Sequence, residues 1–356
     1  MLAEVVRSDV VESVHRGSLV LLDADGSAMF SAGTADLPMF PRSSNKPMQA
    51  AAMLRCGLEL DGRLLSLAAA SHSGEEFHVT GVREILDGAG LTEADLQCPP
   101  DLPLDEAARI ALLRAGGAAD RLHTNCSGKH AAMLATCVAA GWPTGTYRDR
   151  HHPLQVRVKL AVERLAGEPV TAIGVDGCGA PLMAISVAGL ARAFRALVLS
   201  EPGSAERRVA DAMRAYPTWA SGTTRAEAAM MAAVPGLLMK SGAEGVCAFA
   251  LADGRAGAIK IDDGAQRAVP PVIASVLRDL LTAEPGPVAA ADRAVGAVGA
   301  AAAADPVPAG GPAVDPAPAR PAPALDLEVL DRLASSPVLG GGEPAGEIRV
   351  ALPVPG

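Results

Sequence analysis

Two β-hairpin signals stand near opposite ends of the chain with a long helical stretch between them, and this order restricts the fold more than any other feature. Ser18-Leu-Val-Leu-Leu22, Asp23-Ala-Asp-Gly26 and Ser27-Ala-Met-Phe-Ser31 spell two strands closed by an Asp-Gly turn. Residues 4–33 as a whole supply two or three antiparallel strands, and Pro38 and Pro41 end that region. After the Pro235-Gly236 turn the pattern returns. Segments 245–252 and 257–261 flank Asp253-Gly254, and Asp262-Asp263-Gly264 is the next turn. A last strand is expected at 346–352. Helical patterns cover 43–56, 63–70, 76–89, 105–115, 129–140, 153–166, 184–198 and 205–215, and helices at 269–283 and 325–333 follow the second hairpin. Strands, helices, strands, helix is an α+β order. It predicts one antiparallel sheet made from both chain ends and flanked by a helical region.

The 356 residues suffice for one large domain or two ordinary ones. Hydrophobic residues are 49% and aromatic residues only 3%, so the core must be aliphatic and tightly packed. A net charge of −9 argues against nucleic acid or an anionic membrane as partner. Glu4, the lack of an early apolar run and the lack of any long uncharged stretch argue against a signal peptide and a spanning helix, and a cytoplasmic protein is expected. The six cysteines are then free thiols or metal ligands. Residues 284–324 are almost wholly Ala, Pro, Gly, Val and Asp and read as a flexible insertion. It separates a catalytic domain, 1–283, from a helix and strand within 325–356 that complete the same domain.

Five short stretches could carry chemistry. Ser43 and Lys46 in Arg42-Ser-Ser-Asn-Lys-Pro47 have S-x-x-K spacing, which puts hydroxyl and amine on one face of a helical turn. A desolvated lysine there could take the serine proton. The plain alternative is an N-cap serine and a solvated lysine. Ser71 and His72 lie in Ala70-Ser-His-Ser-Gly-Glu75 after an apolar helix, and Lys240-Ser-Gly242 has K-[ST]-G form just before an expected strand. These three elements come in the order used by serine β-lactamases and penicillin-binding proteins. Cys126, Lys129 and His130 crowd the first turn of a helix in Asn125-Cys-Ser-Gly-Lys-His130, a positive end that favours anions and lowers a cysteine pKa. Asp176 and Cys178 flank a glycine in Gly174–Pro181. Two thiolates and an amine could suit zinc, though spacing alone does not assign it. His123, His130, His151 and His152 are read as locally satisfied or as supports behind a metal.

Taken together with His152-Pro-Leu-Gln155, these motifs resemble the rhizobial-type (class 3) L-asparaginases, over residues 4–282 and again from about 325. Those enzymes are similar in fold to serine β-lactamases and glutaminases and unrelated to the bacterial-type and plant-type asparaginases. The resemblance implies hydrolysis of L-asparagine to L-aspartate and ammonia by a homodimer. It implies Ser43 as nucleophile with Lys46 as its base, and Ser71 paired with Lys240. Cys126, Lys129 and Cys178 would bind zinc with a water, Asp176 would stand beside that water, and Arg42 and His72 would contact substrate. A further cysteine of that family falls on Ala226 here, which puts its role in doubt for this chain, and the 284–324 insertion is foreign to it. The competing readings are another serine hydrolase of β-lactamase-like fold, and a binding protein with a dead site. The first lacks the export signal that cell-wall enzymes need. The second would want one Ser-Lys pair missing, and both are present.

Overall fold

The computed structural model describes residues 1–282 and 324–352. The apolar run Leu19–Leu22 is buried on both faces, which makes it a central strand. In chain order the strands are β1 (Ala3–Arg7), β2 (Val10–His15), β3 (Gly17–Leu22), β4 (Ala28–Ala32), β5 (Pro38–Met39), β6 (Ala172–Val175), β7 (Pro181–Ser186), β8 (Leu238–Gly242), β9 (Val246–Ala250), β10 (Ala256–Ile261), β11 (Ser336–Gly340) and β12 (Glu343–Val350). A 3₁₀ turn at Arg42–Asn45 leads into α1 (Lys46–Arg55). It is followed by α2 (Gly62–Ala68), α3 (Glu76–Gly88), α4 (Glu106–Arg114), α5 (Ser127–Ala140), α6 (Pro153–Ala166), α7 (Val187–Leu199), α8 (Ala205–Ala215), α9 (Pro217–Ala220), α10 (Ala226–Ala233), α11 (Val269–Thr282) and α12 (Leu327–Leu333).

The fold is α+β with antiparallel sheets built from both chain ends, as the hairpin signals require. The expected single sheet is divided, however. One sheet has the order β11-β12-β1-β2 and the other β4-β3-β10-β9-β8. The chain passes between them at Arg16. Leu2 N–H bonds the His15 carbonyl 2.8 Å away, whereas the Arg16 carbonyl accepts from Asp262 N–H at 2.9 Å. Partners thus change sheet across one residue. The 346–352 strand returns beside β1, with Val5 opposite Ile348, and not to the central sheet.

A third sheet, β5-β7-β6, was not expected. The segment read as the start of a helix at 184 is the end of β7, and the helix begins at Val187 once the Ser186 hydroxyl caps Gly189 N–H at 2.8 Å. Every residue of β7 is buried, so it shows no period-two alternation that would separate it from a buried helix. Lys240-Ser-Gly242 lies within β8 and not before it, and α10 and β11 also escaped the periodicity. The 284–324 insertion falls, except for Ala324, outside the described residues. No helix among the described residues is long and apolar enough to cross a membrane.

Helix α7 lies across β3, β9 and β10, and α1, α2, α5 and α8 form the helical body beside it. Where β8 meets the 3₁₀ turn there is no room for a side chain. A methyl group at Gly242 would stand 2.5 Å from the Pro41 carbonyl oxygen and 3.1 Å from the Ser44 nitrogen. Gly242→Ala is therefore expected to push the turn off β8 and cost about 1–3 kcal/mol, read as a lower urea midpoint. An unchanged midpoint would mean this contact does not hold the turn.

Candidate active site

The 3₁₀ turn before α1 is built under strain. Arg42 has φ 52°, a left-handed conformation rare for a side-chain-bearing residue. The guanidinium secures it, donating from Nε to Asp176 Oδ1 at 2.9 Å and lying 3.8 Å from Glu244. The Ser44 hydroxyl closes the turn onto the Pro41 carbonyl at 2.6 Å. Ser43 is half-buried at the outer end of this turn, and its hydroxyl makes no hydrogen bond among the described residues.

Lys46 is one turn further on and wholly buried, as an apolar helix start dictates. Its Nζ donates to the Ala70 carbonyl at 2.6 Å and to Ser71 Oγ at 2.9 Å. The hydrogen bonds therefore join Lys46 to Ser71, where the sequence suggested Lys46 with Ser43 and Ser71 with Lys240. The S-x-x-K spacing still sets Ser43 and Lys46 on one face of the turn. Burial pulls the Lys46 pKa down to about 8, with the cationic Lys129 and Lys240 acting in the same sense and Cys126 and Cys178 against it.

The Ser71 loop is braced from two sides. Ser71 N–H bonds the Ala220 carbonyl at 3.2 Å. Glu75 accepts from the Ser73 hydroxyl at 2.5 Å and from Thr223 N–H at 3.0 Å, which ties the 220–223 segment over the loop. His72 is part of this brace. Its Nδ1 accepts from Gly74 N–H at 3.2 Å, so Nε2 carries the proton and donates to Ser127 Oγ at 2.8 Å. Burial holds its pKa well below the usual imidazole range. Both ring nitrogens are engaged inside the protein, so His72 holds the loop and offers neither nitrogen to a substrate.

Lys240, also fully buried, points along the edge of β8. It donates to Glu227 Oε1 at 3.0 Å and to the Ser241 carbonyl at 2.9 Å. Glu227, on α10, was not singled out from sequence. The signal that could have found it is the general requirement that a buried lysine have an anion.

A compact group of donors lies at the start of α5. Sulfurs of Cys126 and Cys178 and one ring nitrogen of His130 are all within 4.8 Å of one another. Lys129 Nζ donates to Cys178 Sγ at 3.0 Å. The neighbouring Cys126 thiol, helped by the charge of Lys129, holds Cys178 far below the ordinary thiol range, while the same neighbour and burial raise Cys126. His130 Nδ1 lies 2.6 Å from the Tyr147 hydroxyl, while its Nε2 is buried without a hydrogen-bond partner. An orphaned imidazole nitrogen beside two sulfurs and an amine fits a soft divalent cation. Arg42 and Asp176 connect this group to the serine turn, since Cys178 Sγ also lies 3.9 Å from Asp176 Oδ2.

Residues 3–302 match the L-asparaginase II family. The chain belongs to that family. Curated proteins give no match in sequence. Solved structures similar to it include Mglu in its native form, 16% identical with TM-score 0.41, covering 76% of this chain and 66% of Mglu. A second Mglu structure, obtained in 4.3 M NaCl, gives 16% and 0.40, covering 72% of this chain and 59% of that one. A β-lactamase from Mycobacterium bovis is 15% identical with TM-score 0.41, covering 74% of this chain and 94% of that one. The chain spans less than two thirds of the length of Mglu in both cases.

In this asparaginase II chain the cost of burying the Lys46 amine is itself measurable. A folded pKa near 8, below the usual 10.5, means the unfolded chain binds this proton more tightly. The penalty is complete below pH 8, shrinks as pH rises from 8 to 10.5, and is absent above. Lys46→Met is expected to gain up to about 3 kcal/mol of unfolding free energy at pH 7, offset in part by the lost hydrogen bonds, and to lose that gain by pH 10.5. Urea titrations at both pH values check this; a stability difference independent of pH would exclude the shift.

Proposed function

We propose that the protein is an L-asparaginase that hydrolyses L-asparagine to L-aspartate and ammonia with paired serines and lysines. The observation that carries this reading is the buried Lys46 amine, 2.9 Å from Ser71 Oγ and one helical turn from Ser43, in a chain of this family. With its pKa near 8, Lys46 is matched to proton transfer close to neutrality. In the proposed cycle Ser43 Oγ attacks the side-chain amide carbon and its proton passes to Lys46. The proton then moves through Ser71 to the amide nitrogen, the C–N bond breaks and ammonia leaves. Water, activated by the again neutral Lys46, splits the Ser43 ester and releases L-aspartate. Arg42 is suited to the α-carboxylate of a free amino acid, and Lys240 supplies fixed positive charge for the developing oxyanion.

Zinc is part of the proposal. Cys126, Cys178 and Lys129 would hold it, with His130 Nε2 as a further donor in reach, and Asp176 beside the group. When bound, a zinc ion supplies a Lewis-acidic charge that neutralises the two sulfurs and orients a polar ligand. Zinc uptake must displace the Cys126 proton, so affinity should rise with pH. The resemblance further suggests a homodimer, which light scattering would measure.

Purified protein is expected to release ammonia from L-asparagine faster than from L-glutamine. Ser43→Ala and Lys46→Ala should each lower kcat by about 10²–10⁴-fold with a cooperative unfolding transition retained. Near-normal turnover in either variant would remove that residue from the chemistry. Elemental analysis of Cys178→Ala should show loss of zinc; full stoichiometry would take Cys178 off the ligand set. Comparing Lys129→Ala with His130→Ala in the same way shows which of the two nitrogens is the stronger ligand.

A further inference from the structure

Strand β8 is the edge of its sheet, so the Ser241 groups turned away from β9 have no strand partner. Side chains supply it. Ser241 N–H donates to Glu227 Oε2 at 2.8 Å, and the Ser241 carbonyl accepts from Lys240 Nζ at 2.9 Å. Glu227 Oε1 then closes the ring onto Lys240 at 3.0 Å. Burial alone would raise the Glu227 pKa, but the charge of Lys240 outweighs it and holds the carboxyl ionised. The other titratable groups facing this pair are Arg225 on the approach to α10, Cys247 on β9 and Lys46 on α1.

The arrangement also fixes direction. Lys240 and Gly242 alternate onto one face of β8, and Gly242 packs against the turn that carries Ser43. Lys240 therefore stands on the face of β8 that meets the reacting serines. Two of its three ammonium donors are committed to Glu227 and Ser241, which leaves one uncommitted.

We propose that Glu227 is a positioning residue, which fixes the charge and the aim of Lys240 toward the Ser43–Lys46–Ser71 cleft and affects turnover only through Lys240. This rests on the reading of those three residues as the reacting groups. The test is a double-mutant cycle on the full chain, with ammonia release from L-asparagine as one readout. Glu227→Gln is expected to lower kcat about 10–100-fold, the range seen when a supporting partner is removed, with KM within about twofold. Lys240→Met should lower kcat at least as much, and the double variant no further than Lys240→Met alone. Wild-type kcat in Glu227→Gln, or losses that multiply in the double variant, would overturn the assignment. Glu227→Gln leaves a buried ammonium unpaired and could fail to fold. Glu227→Asp then carries the test, because it keeps the charge and withdraws it by one methylene. A fall in kcat at unchanged KM is expected, and wild-type kcat overturns.

A second readout separates this assignment from the choice of substrate. A fluorophosphonate forms a serine Oγ–P bond as the P–F bond breaks, with fluoride leaving and the serine proton passing to Lys46. Adduct formation, followed by intact mass, should be fastest in wild type, slower in Glu227→Gln, and equally slow in Lys240→Met and the double variant. That ranking without ammonia release would reject asparagine as substrate and keep the role of Glu227. Equal labelling of wild type and Glu227→Gln, or no labelling of wild type, would reject the role itself.

Discussion

An ammonium taken wholly out of water must be paired or give up its proton, because desolvating it costs several kcal/mol even after the protein relaxes. The candidate site is organised around three such groups. Lys46, Lys129 and Lys240 are 1, 1 and 0% exposed and rank among the largest fully buried side chains. Each meets the constraint differently. Lys129 faces the Cys178 thiolate, Lys240 faces the Glu227 carboxylate, and Lys46 has only neutral oxygens from Ala70 and Ser71. The chain has just five lysines among its 31 basic residues. The preference for arginine elsewhere suits surfaces, where permanent charge is harmless. An amine is retained in the interior, where a proton can be released or a cation fitted into little space.

Holding these amines requires rigid surroundings, and the fold supplies them by close backbone approach. The 3₁₀ turn is trapped between the end of β8, where only glycine fits at 242, and the ion pair from Arg42 to Asp176. Arg42 accepts a left-handed backbone to make that bond, a strain of order 1–3 kcal/mol. On the other side α5 begins where Gly128 lets the helix rest on α2, with no space for a methyl group beside Leu67. Cys126, Lys129 and His130 are thereby brought to the Asp176–Cys178 turn. These loops are thus held between two helix starts and a strand end, which limits how far their side chains can drift.

Much of this was legible in the sequence. Asp-Gly turns between apolar runs located the β3–β4 and β9–β10 hairpins, and periodicity located α1 to α8 because each has one wet face or clear breakers. Failures came where burial erased the pattern. The strand 181–186 is buried at every position and reads as helix, and the bend at Arg16 leaves no trace in composition because it consists of a change of hydrogen-bond partner. The site followed the same rule. Ser43, Lys46, Ser71, Cys126, Lys129, Asp176 and Cys178 were visible as short motifs; the structure brings Cys126, Lys129 and Cys178 to one place and joins Lys46 to Ser71 where the sequence suggested Ser43. Pairing depends on side-chain direction, which spacing fixes within one turn but not between segments 25 residues apart. Glu227 carries no motif and becomes visible only as the answer to a buried cation.

The three lysines also differ in their fitness for the role of base in the proposed reaction. Lys129 with Cys178, and Lys240 with Glu227, are close to neutral as pairs, yet each presents its cationic end to Lys46. Lys46 has no anion of its own to hold a proton, while burial and two ammonium neighbours oppose one. Its proton is therefore easier to lose than that of Lys129, which the Cys178 thiolate holds, and it is the lysine in contact with a serine hydroxyl. A thiolate left free would work against this by stabilising a protonated Lys46, as Cys126 and Cys178 do in its balance of charges. A divalent cation seated on those sulfurs would cancel that pull. A cation bound there and the serines would then not be separate features, since its charge would set the proton affinity of the lysine beside them.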